Sequence, residues 1–285
     1  PKGSPDILYV EGPIDPEVGV TCIQTPSLRN LAFLLHHTCH PVHGFGKRFI
    51  TSGWPGAWAE GVRAAFGGEP VALVLNGCCG NVHHANPLDP KQVDDYRQIG
   101  RILTEDARDL VASIRTEQNV VLDCQTRRIK LPIRKFDPKE LQAARGMLKQ
   151  HPKPIMRTDS PGAITWDWCY AVCLLDLYSR HGRNPECDYE IQALRVGDNA
   201  YVALGGEPFV EGQLEIKRRS PVRHTYVAHM CHIYVGYIPT RQALERKGYE
   251  TRMGNWSKLA PEALEIIVDE TDRLLKKVFA DKTGK

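Results

Sequence analysis

The chain has 285 residues, of which 37 are basic and 34 acidic, so its net charge is +3. This length is enough for one large domain or two modest ones with a sizeable core. The balanced charge gives no reason to expect nucleic acid or a membrane surface as a partner. No apolar run reaches the roughly eighteen residues that a membrane helix needs.

Two short apolar runs predict strands that are buried on both faces. Residues 31–36 (LAFLLH) and 71–75 (VALVL) each end in a polar or Gly-rich turn, as such strands commonly do. Between them, residues 55–66 begin with Pro and end before Gly-Gly, which predicts a helix. This strand–helix–strand order favours an α/β layer.

Helix and strand signals alternate through the rest of the chain. Asp89 and Pro90 predict the start of a helix whose apolar positions continue to Leu110. No repeat or strong linker interrupts the pattern, so we expect one large mixed α/β domain over residues 1–285, with strands flanked by helices. The further predicted helices are 138–149, 164–181 and 261–279, and the further strands are 120–133, two within 189–204 joined at Gly197-Asp198, and 225–230.

The nine cysteines form no CxxC motif and no repeated spacing. We interpret them as reduced, partly buried thiols, which favours a reducing compartment such as the cytoplasm. Nothing in their spacing selects a catalytic cysteine.

Histidine is the residue type that points to chemistry, because the eleven histidines include three groups at or just beyond predicted strand ends. Ligands of α/β sheets bind beyond the carboxyl ends of the strands, so these clusters favour a metal or acid–base site. The groups are His36, His37, His40 and His43; His83 and His84; and His224, His229 and His232.

The first group, HHTCHPVHG, resembles a helical pair of zinc ligands only superficially. His36 and His40 have i,i+4 spacing, but no Glu follows His36 and Pro41 argues against a continuing helix. A strand that leads into a turn is the better interpretation, and His40 is favoured because Pro41 locks the turn that aims it. The alternative is that all four histidines are ordinary loop residues that bind no metal.

Two further stretches offer oxygen ligands. In LGGEPFVEG, Glu207 follows an apolar strand and two glycines, which suits metal ligation or base chemistry. It equally suits an acidic residue at a helix N-terminus. In YVGYIPTRQALERKGYE, Tyr234, Tyr237 and Tyr249 are either packing residues or phenols that bind a metal or an oxyanion.

Taken together, these stretches resemble the N-terminal catalytic domain of the neutral/alkaline non-lysosomal ceramidases, a zinc amidase family with many bacterial relatives. The order and separations of the matching motifs agree from about Val10 to Glu250. The motifs are HPV after a hydrophobic strand, SGWPGAWAE, LNGCCGNV, GGEPFVEGQLEIKRRSP and YVGYIPTRQALERKGYE.

The resemblance implies that His40, Glu207 and Tyr237 ligate Zn²⁺ and that Tyr249 lines the site and binds the substrate or an oxyanion. The remaining zinc histidine of the family comes from a segment before the first residue of this chain. We therefore expect the chain to lack the N-terminal part of the family domain. The implied partner is a small-molecule or lipid-like amide, and exported relatives make a secreted or periplasmic location the alternative to the cytoplasm.

One turn departs from the family pattern. Ceramidases have Gly-Asp-Val-Ser there, and the Ser is essential for hydrolysis, whereas this chain has Gly80-Asn81-Val82-His83 followed by His84. His83 or His84 would then act as a general base towards zinc-bound water, or as an extra ligand. Backbone N–H groups of the turn could also hold an oxyanion.

Three hypotheses follow from these patterns. The first is a zinc-dependent hydrolase of the ceramidase-like class that cleaves an amide, or an ester, with a metal-polarised carbonyl or metal-bound water. The second is a non-catalytic metal- or ligand-binding relative that has lost the nucleophilic Ser. The third treats the histidines as structural with no metal, and it leaves the ordered set of motif matches unexplained.

Overall fold

A computed structural model describes residues 2–44, 49–160 and 162–280. The strands within these residues are β1 (Gly19–Gln24), β2 (Asn30–His37), β3 (Val71–Asn76), β4 (Leu122–Pro132), β5 (Glu186–Val196), β6 (Asn199–Leu204), β7 (Glu207–Pro208), β8 (His224–Ala228) and β9 (Tyr237–Ile238). The helices are α1 (Gly53–Phe66), α2 (Tyr96–Ser113), α3 (Pro138–Gln150), α4 (Trp166–His181), α5 (Val210–Arg219), α6 (Arg241–Arg246) and α7 (Ala263–Val278).

The first layer is a three-stranded sheet in the order β1-β2-β3, covered by α1 and α2. β1 is antiparallel to β2, while β2 and β3 run parallel, as the predicted strand–helix–strand unit requires. Phe33 and Leu35 point from β2 into a core that Trp54 and Trp58 of α1 complete, and all four are fully buried. The alternation of β2 therefore fixes which face of the sheet receives α1.

The second layer is a four-stranded sheet in the order β4-β5-β6-β8, packed against α5 and α7. The β5–β6 hairpin turns at Gly197, where φ is +60°, as predicted from Gly197-Asp198. α7 buries the apolar side expected of it: Leu264, Ile267, Leu274, Leu275 and Val278. The third sheet contains only the short parallel pair β7 and β9.

Most predicted elements are confirmed, and the mixed α/β class with one large domain is correct. The prediction that β2 and β3 are buried on both faces is wrong, because Leu31 is exposed at the start of β2, and Val71 and Leu73 of β3 are exposed on the face away from α1 and α2. The prediction that Asp89-Pro90 begins a helix is wrong. Pro90 and Lys91 form a turn, residues 92–95 are irregular, and α2 begins at Tyr96, where the Asp95 carboxylate accepts the backbone N–H of Arg97. Val93 is exposed, so the apolar spacing that extended the predicted helix backwards does not face a core.

The two larger sheets meet where β3 lies beside β8. The His36 ring donates from Nε2 to the Val227 carbonyl at 3.0 Å, and the backbone N–H of His229 donates to Asn76 at 3.1 Å. Burial lowers the pKa of His36 to about 4. A neutral imidazole therefore joins the layers directly beneath the loops that follow β2, β3 and β8.

A buried amide holds these loops in place. The Gln213 side chain of α5 accepts the Cys78 N–H at 2.7 Å and donates to Thr38 at 2.7 Å and to Asp15 at 2.6 Å. Lys217 also bonds to Asp15, at 2.7 Å. Burial alone would raise the pKa of Asp15, but its bonds to Lys217 and Gln213 hold that pKa below the usual value. One fully buried side chain thus ties α5 to three separate segments.

We expect acid lability centred on His36. Its pKa in the fold, about 4 against an ordinary 6.5, means that the unfolded chain binds the proton more readily. The associated stability is complete above pH 6.5 and is lost as the pH falls towards 4, by up to about 3 kcal/mol. Urea denaturation of metal-free protein between pH 8 and pH 4 measures this loss. His36→Gln retains a donor for Val227 and should have a shallower pH dependence; an unchanged slope would contradict the assignment.

We also expect Gln213→Leu to lower the free energy of unfolding by about 2–4 kcal/mol, because it leaves the Cys78 N–H and the Asp15 carboxylate short of a buried partner. Chemical denaturation measures the change. Gln142→Leu makes the same substitution on the exposed face of α3 and serves as the control, with a change near zero. Equal effects of the two substitutions would show that the buried amide has no special role.

Candidate metal centre

Four segments converge beside the carboxyl ends of β2 and β3. The loop after β2 bonds to the turn after β3 through the His40 N–H and the Val82 carbonyl, at 3.0 Å. That turn bonds in turn to β7 through the Gly80 N–H and the Pro208 carbonyl, at 3.1 Å. β7 pairs with β9 so that Glu207 stands opposite Tyr237. The predicted ligands therefore come together from distant parts of the sequence.

Gly80 permits the closest of these approaches. A Cβ atom at this position would lie 2.5 Å from the Glu207 carbonyl oxygen, which no side chain tolerates. Asn81 then fixes the turn against α5, because its amide accepts the Val210 N–H at 2.8 Å and donates to Glu211 at 2.9 Å. The turn is held on both sides by hydrogen bonds.

The tautomer of His40 follows from its surroundings. Nδ1 lies 3.1 Å from the Cys79 carbonyl oxygen, which can only accept, so Nδ1 carries the proton. Nε2 is consequently a lone-pair donor, and it lies 3.7 Å from Oε2 of Glu207. A backbone carbonyl that orients a histidine in this manner is usual behind a metal ligand.

Glu207 is a buried carboxylate, with 8% of the residue exposed. Its Oε1 accepts the Tyr234 hydroxyl at 2.9 Å, which leaves Oε2 facing His40. Burial, together with the Glu207 charge, raises the pKa of Tyr234. The sequence left the role of Tyr234 open between packing and ligand binding, and the structure makes it a hydrogen-bond donor to Glu207.

Tyr237 and Tyr249 lie side by side. Their ring centroids are 5.9 Å apart, edge to face, and Tyr249 also stacks on Trp256. Tyr237 is the register partner of Glu207 in the β7–β9 pair; burial raises the pKa of Tyr237, and the Glu207 charge raises it further. Tyr237 is 9% exposed whereas Tyr249 is 49% exposed, which places Tyr237 at depth and Tyr249 at the entrance.

A cavity of about 440 Å³ opens over these groups and is lined by His40, His83, Tyr237 and Tyr249 among others. His83 is exposed, and its Nδ1 accepts the Ala85 N–H at 3.0 Å, so a neutral His83 carries its proton on Nε2. Burial lowers the pKa of His83, with a further contribution from His84.

The structure directs His84 to a different group of side chains. Its Nε2 lies 3.0 Å from Oδ1 of Asp94, and His43 Nε2 lies 3.7 Å from the same oxygen. Burial lowers the pKa values of both histidines. These three residues could hold a metal. The sequence patterns did not identify Asp94, since it lies within the segment wrongly predicted as helix.

His229 is another residue near the centre to which the sequence patterns gave no role. Its Nε2 lies 3.5 Å from the Cys79 thiol, and burial lowers its pKa to about 4, with His40 contributing. Burial also raises the pKa of Cys79 strongly, so this Cys–His pair is neutral and is not an activated nucleophile. The sequence feature that could have identified His229 was its position after β8, in a group of three histidines.

Comparison with known proteins gives two solved ceramidase structures with a similar fold. The neutral ceramidase from Pseudomonas aeruginosa aligns with a TM-score of 0.65 at 17% identity, over 99% of this chain and 50% of that chain. A ceramidase complexed with C2 aligns with a TM-score of 0.63 at 16% identity, over 99% and 52%. No protein-family model matches the sequence, and a search of curated proteins finds no match. The chain spans about half the length of these solved structures and has the fold of that half of a neutral ceramidase.

Proposed function

We propose that the chain is the metal-binding catalytic part of a hydrolase that cleaves an amide (N-acyl) bond, with His40, Glu207 and Tyr237 as ligands of Zn²⁺. The observation that carries the proposal is the pair formed by His40 Nε2 and Glu207 Oε2 at 3.7 Å. Both atoms are acceptors once Nδ1 of His40 is protonated, and they face each other beside the cavity that His40 and Tyr237 line.

The geometry of this pair fits a cation. Zn²⁺ bonds of about 2.0–2.1 Å in a tetrahedral site place neighbouring ligand atoms about 3.4 Å apart. The observed 3.7 Å needs only a small contraction. The donor set of an imidazole, a carboxylate and a phenol supplies nitrogen and oxygen ligands. The imidazole is oriented by the hydrogen bond that it donates to the Cys79 carbonyl, and the carboxylate by the one that it accepts from Tyr234.

A bound Zn²⁺ would polarise the substrate carbonyl and lower the pKa of water at the site. The protein's own residues hold and orient the reacting groups. Tyr237 stays protonated until a cation replaces its proton, because burial and Glu207 raise its pKa. Tyr249, at the entrance, donates its hydroxyl proton to a substrate oxygen.

His83 occupies the turn where ceramidases have their Ser. In the neutral tautomer set by the Ala85 N–H, it presents a proton on Nε2 to the cavity. This geometry suits donation to a developing oxyanion or to the leaving nitrogen. Accepting a proton at Nδ1 would first require the bond from Ala85 to break. His84 bonds to Asp94, so a proton-transfer role for it depends on release of that contact.

The substrate class follows from the cavity and the fold together. A volume of about 440 Å³ lies in the range of small-molecule sites, and the two solved structures with a similar fold are ceramidases. Charged side chains at the wall, including Glu211, Arg246 and Glu250, favour a polar group next to the scissile amide. None of the helices in the described part of the chain has the length and apolar character of a membrane span.

The second candidate function is a metal- or ligand-binding protein without turnover. It is favoured by one observation, the replacement of the nucleophilic Ser by His83, whose Nδ1 is already bonded to Ala85. A panel of N-acyl amides and esters with short and long acyl chains separates the candidates. Bound zinc without hydrolysis of any of them by the full-length protein would support the binding function.

We expect His40→Ala and Glu207→Gln each to lower the zinc content of the full-length protein by one equivalent, because each removes a ligand from a site with few donors. Inductively coupled plasma mass spectrometry of dialysed protein measures the zinc content. Glu211→Gln is the matched control. Glu211 accepts a hydrogen bond from Asn81 in the turn after β3 but is not a proposed ligand, so this variant should retain its zinc. Unchanged zinc content in either ligand variant would count against the ligand assignment.

We expect His83→Ala to retain the metal and to lose about 100-fold in kcat, the usual contribution of a positioned proton donor. The rate of release of the acyl product from a substrate that the unchanged protein hydrolyses measures this effect. Zinc content should be unaltered in the same preparation. Full activity of His83→Ala would move the proton-transfer role to His84 or to another group.

A further inference from the structure

A second set of metal donors lies next to the candidate centre and shares none of its residues. His43 follows β2, His84 follows the turn after β3, and Asp94 precedes α2. One potential ligand atom from each residue lies within 4.8 Å of the other two. Val42 and His83, their immediate neighbours, line the cavity, so this set stands directly behind its rim.

Hydrogen bonding within the protein explains only part of this arrangement. His84 Nε2 and Asp94 Oδ1, 3.0 Å apart, satisfy each other. Within the described part of the chain, neither ring nitrogen of His43 has a hydrogen-bond partner, and His43 is only 7% exposed. Such buried nitrogens each cost about 1–3 kcal/mol when they remain unpaired.

The stacking of the two rings does not remove this cost. The centroids of His43 and His84 are 3.7 Å apart, and His83 stacks on the other face of His84 at 4.2 Å. Stacking satisfies ring faces, whereas the unpaired nitrogens lie at ring edges. A cation bound at the ring edges would pair with the free ring nitrogens and would also be attracted by the Asp94 carboxylate.

We propose that His43, His84 and Asp94 form a second site, for a divalent transition metal of the zinc class, which ties three loops together behind the cavity rim. The distances from Asp94 Oδ1 to the two imidazoles, 3.0 and 3.7 Å, bracket the roughly 3.4 Å between neighbouring ligands of tetrahedral Zn²⁺. Two imidazoles and one carboxylate form a set that zinc-class ions prefer over Mg²⁺ or Ca²⁺. Asp94 is exposed, which gives the ion an entry path.

The site has a consequence for the cavity. Because His43 lies three residues after His40, and His84 directly follows His83, an ion here fixes the loops that carry two residues of the candidate centre. It acts on them by positioning, since neither His43 nor His84 lines the cavity.

The test separates this site from the one in the proposed function. The full chain with His40→Ala and Glu207→Gln together removes the first set of donors. After chelator treatment, this double variant is titrated with Zn²⁺ in a calorimeter and with Co²⁺, whose visible absorption reports nitrogen and oxygen ligation. We expect one equivalent to bind. No binding would overturn the inference.

Further substitutions in the double variant identify the ligands. Asp94→Asn should weaken Zn²⁺ binding by at least about 100-fold, since losing a residue that only supports a ligand already costs about 10–100-fold. Asp95→Asn is the matched control: it keeps the cap of α2 and should bind as before. His43→Ala should also lose Zn²⁺ binding, and circular dichroism reports whether this variant folds. Because Asp94 is exposed, Asp94→Asn tests the site without disturbing the buried core.

The outcomes for the two sites differ. If the double variant binds an ion and neither Asp94→Asn nor His43→Ala weakens that binding, the proposal of a second site is overturned. A single equivalent in the unchanged chain that survives in the double variant but is lost with Asp94→Asn would support the second site and contradict the ligand set of the proposed function.

Discussion

The fold depends on one close backbone approach, that of the turn at Gly80 to the strand of Glu207. A Cβ atom at position 80 would lie 2.5 Å from the Glu207 carbonyl oxygen, so only glycine fits there. The N–H of Gly80 donates to the Pro208 carbonyl. This contact brings the loops after β2 and β3 to the short β7–β9 pair. Without it, His40 and Glu207 would belong to separate layers.

Burial determines the chemistry of the groups assembled there. The His40 imidazole and the Glu207 carboxylate face each other as two acceptors, and the phenols of Tyr234 and Tyr237 remain protonated because burial and the nearby Glu207 charge raise their pKa values. A buried anion surrounded by neutral donors is an environment that attracts a cation. The same principle applies to Asp94 beside His43 and His84, although that carboxylate is more exposed.

Much of the fold was predictable from local patterns, and the candidate site was predictable mainly from motif order. Runs such as LAFLLH and the spacing of α7 determine their elements because side-chain periodicity selects one buried face. β1 was not predicted, since its residues are only partly buried and it forms through pairing with β2. The start of α2 was misplaced because Asp89 and Asp95 are equally good caps, and the core, not the cap, decides between them.

The site residues illustrate the same limit. His40 could be selected because Pro41 stiffens its turn, but the sequence could not show that His84 turns towards His43 and Asp94 while His83 faces the cavity. Adjacent residues in a turn diverge according to tertiary contacts, here the Asp94 carboxylate and the Ala85 N–H. Two-residue strands such as β7 and β9 have no periodicity to detect. Their pairing, which opposes Glu207 and Tyr237, appears only in three dimensions.

The central claim is that distant loops hold one divalent ion between an imidazole, a carboxylate and a phenol. Crystals of the protein grown with Zn²⁺, and measured on both sides of the zinc absorption edge, test it most directly. The account predicts an anomalous peak within bonding distance of His40 Nε2, Glu207 Oε2 and the Tyr237 hydroxyl oxygen. A fully zinc-loaded crystal with no peak among these three atoms would contradict it.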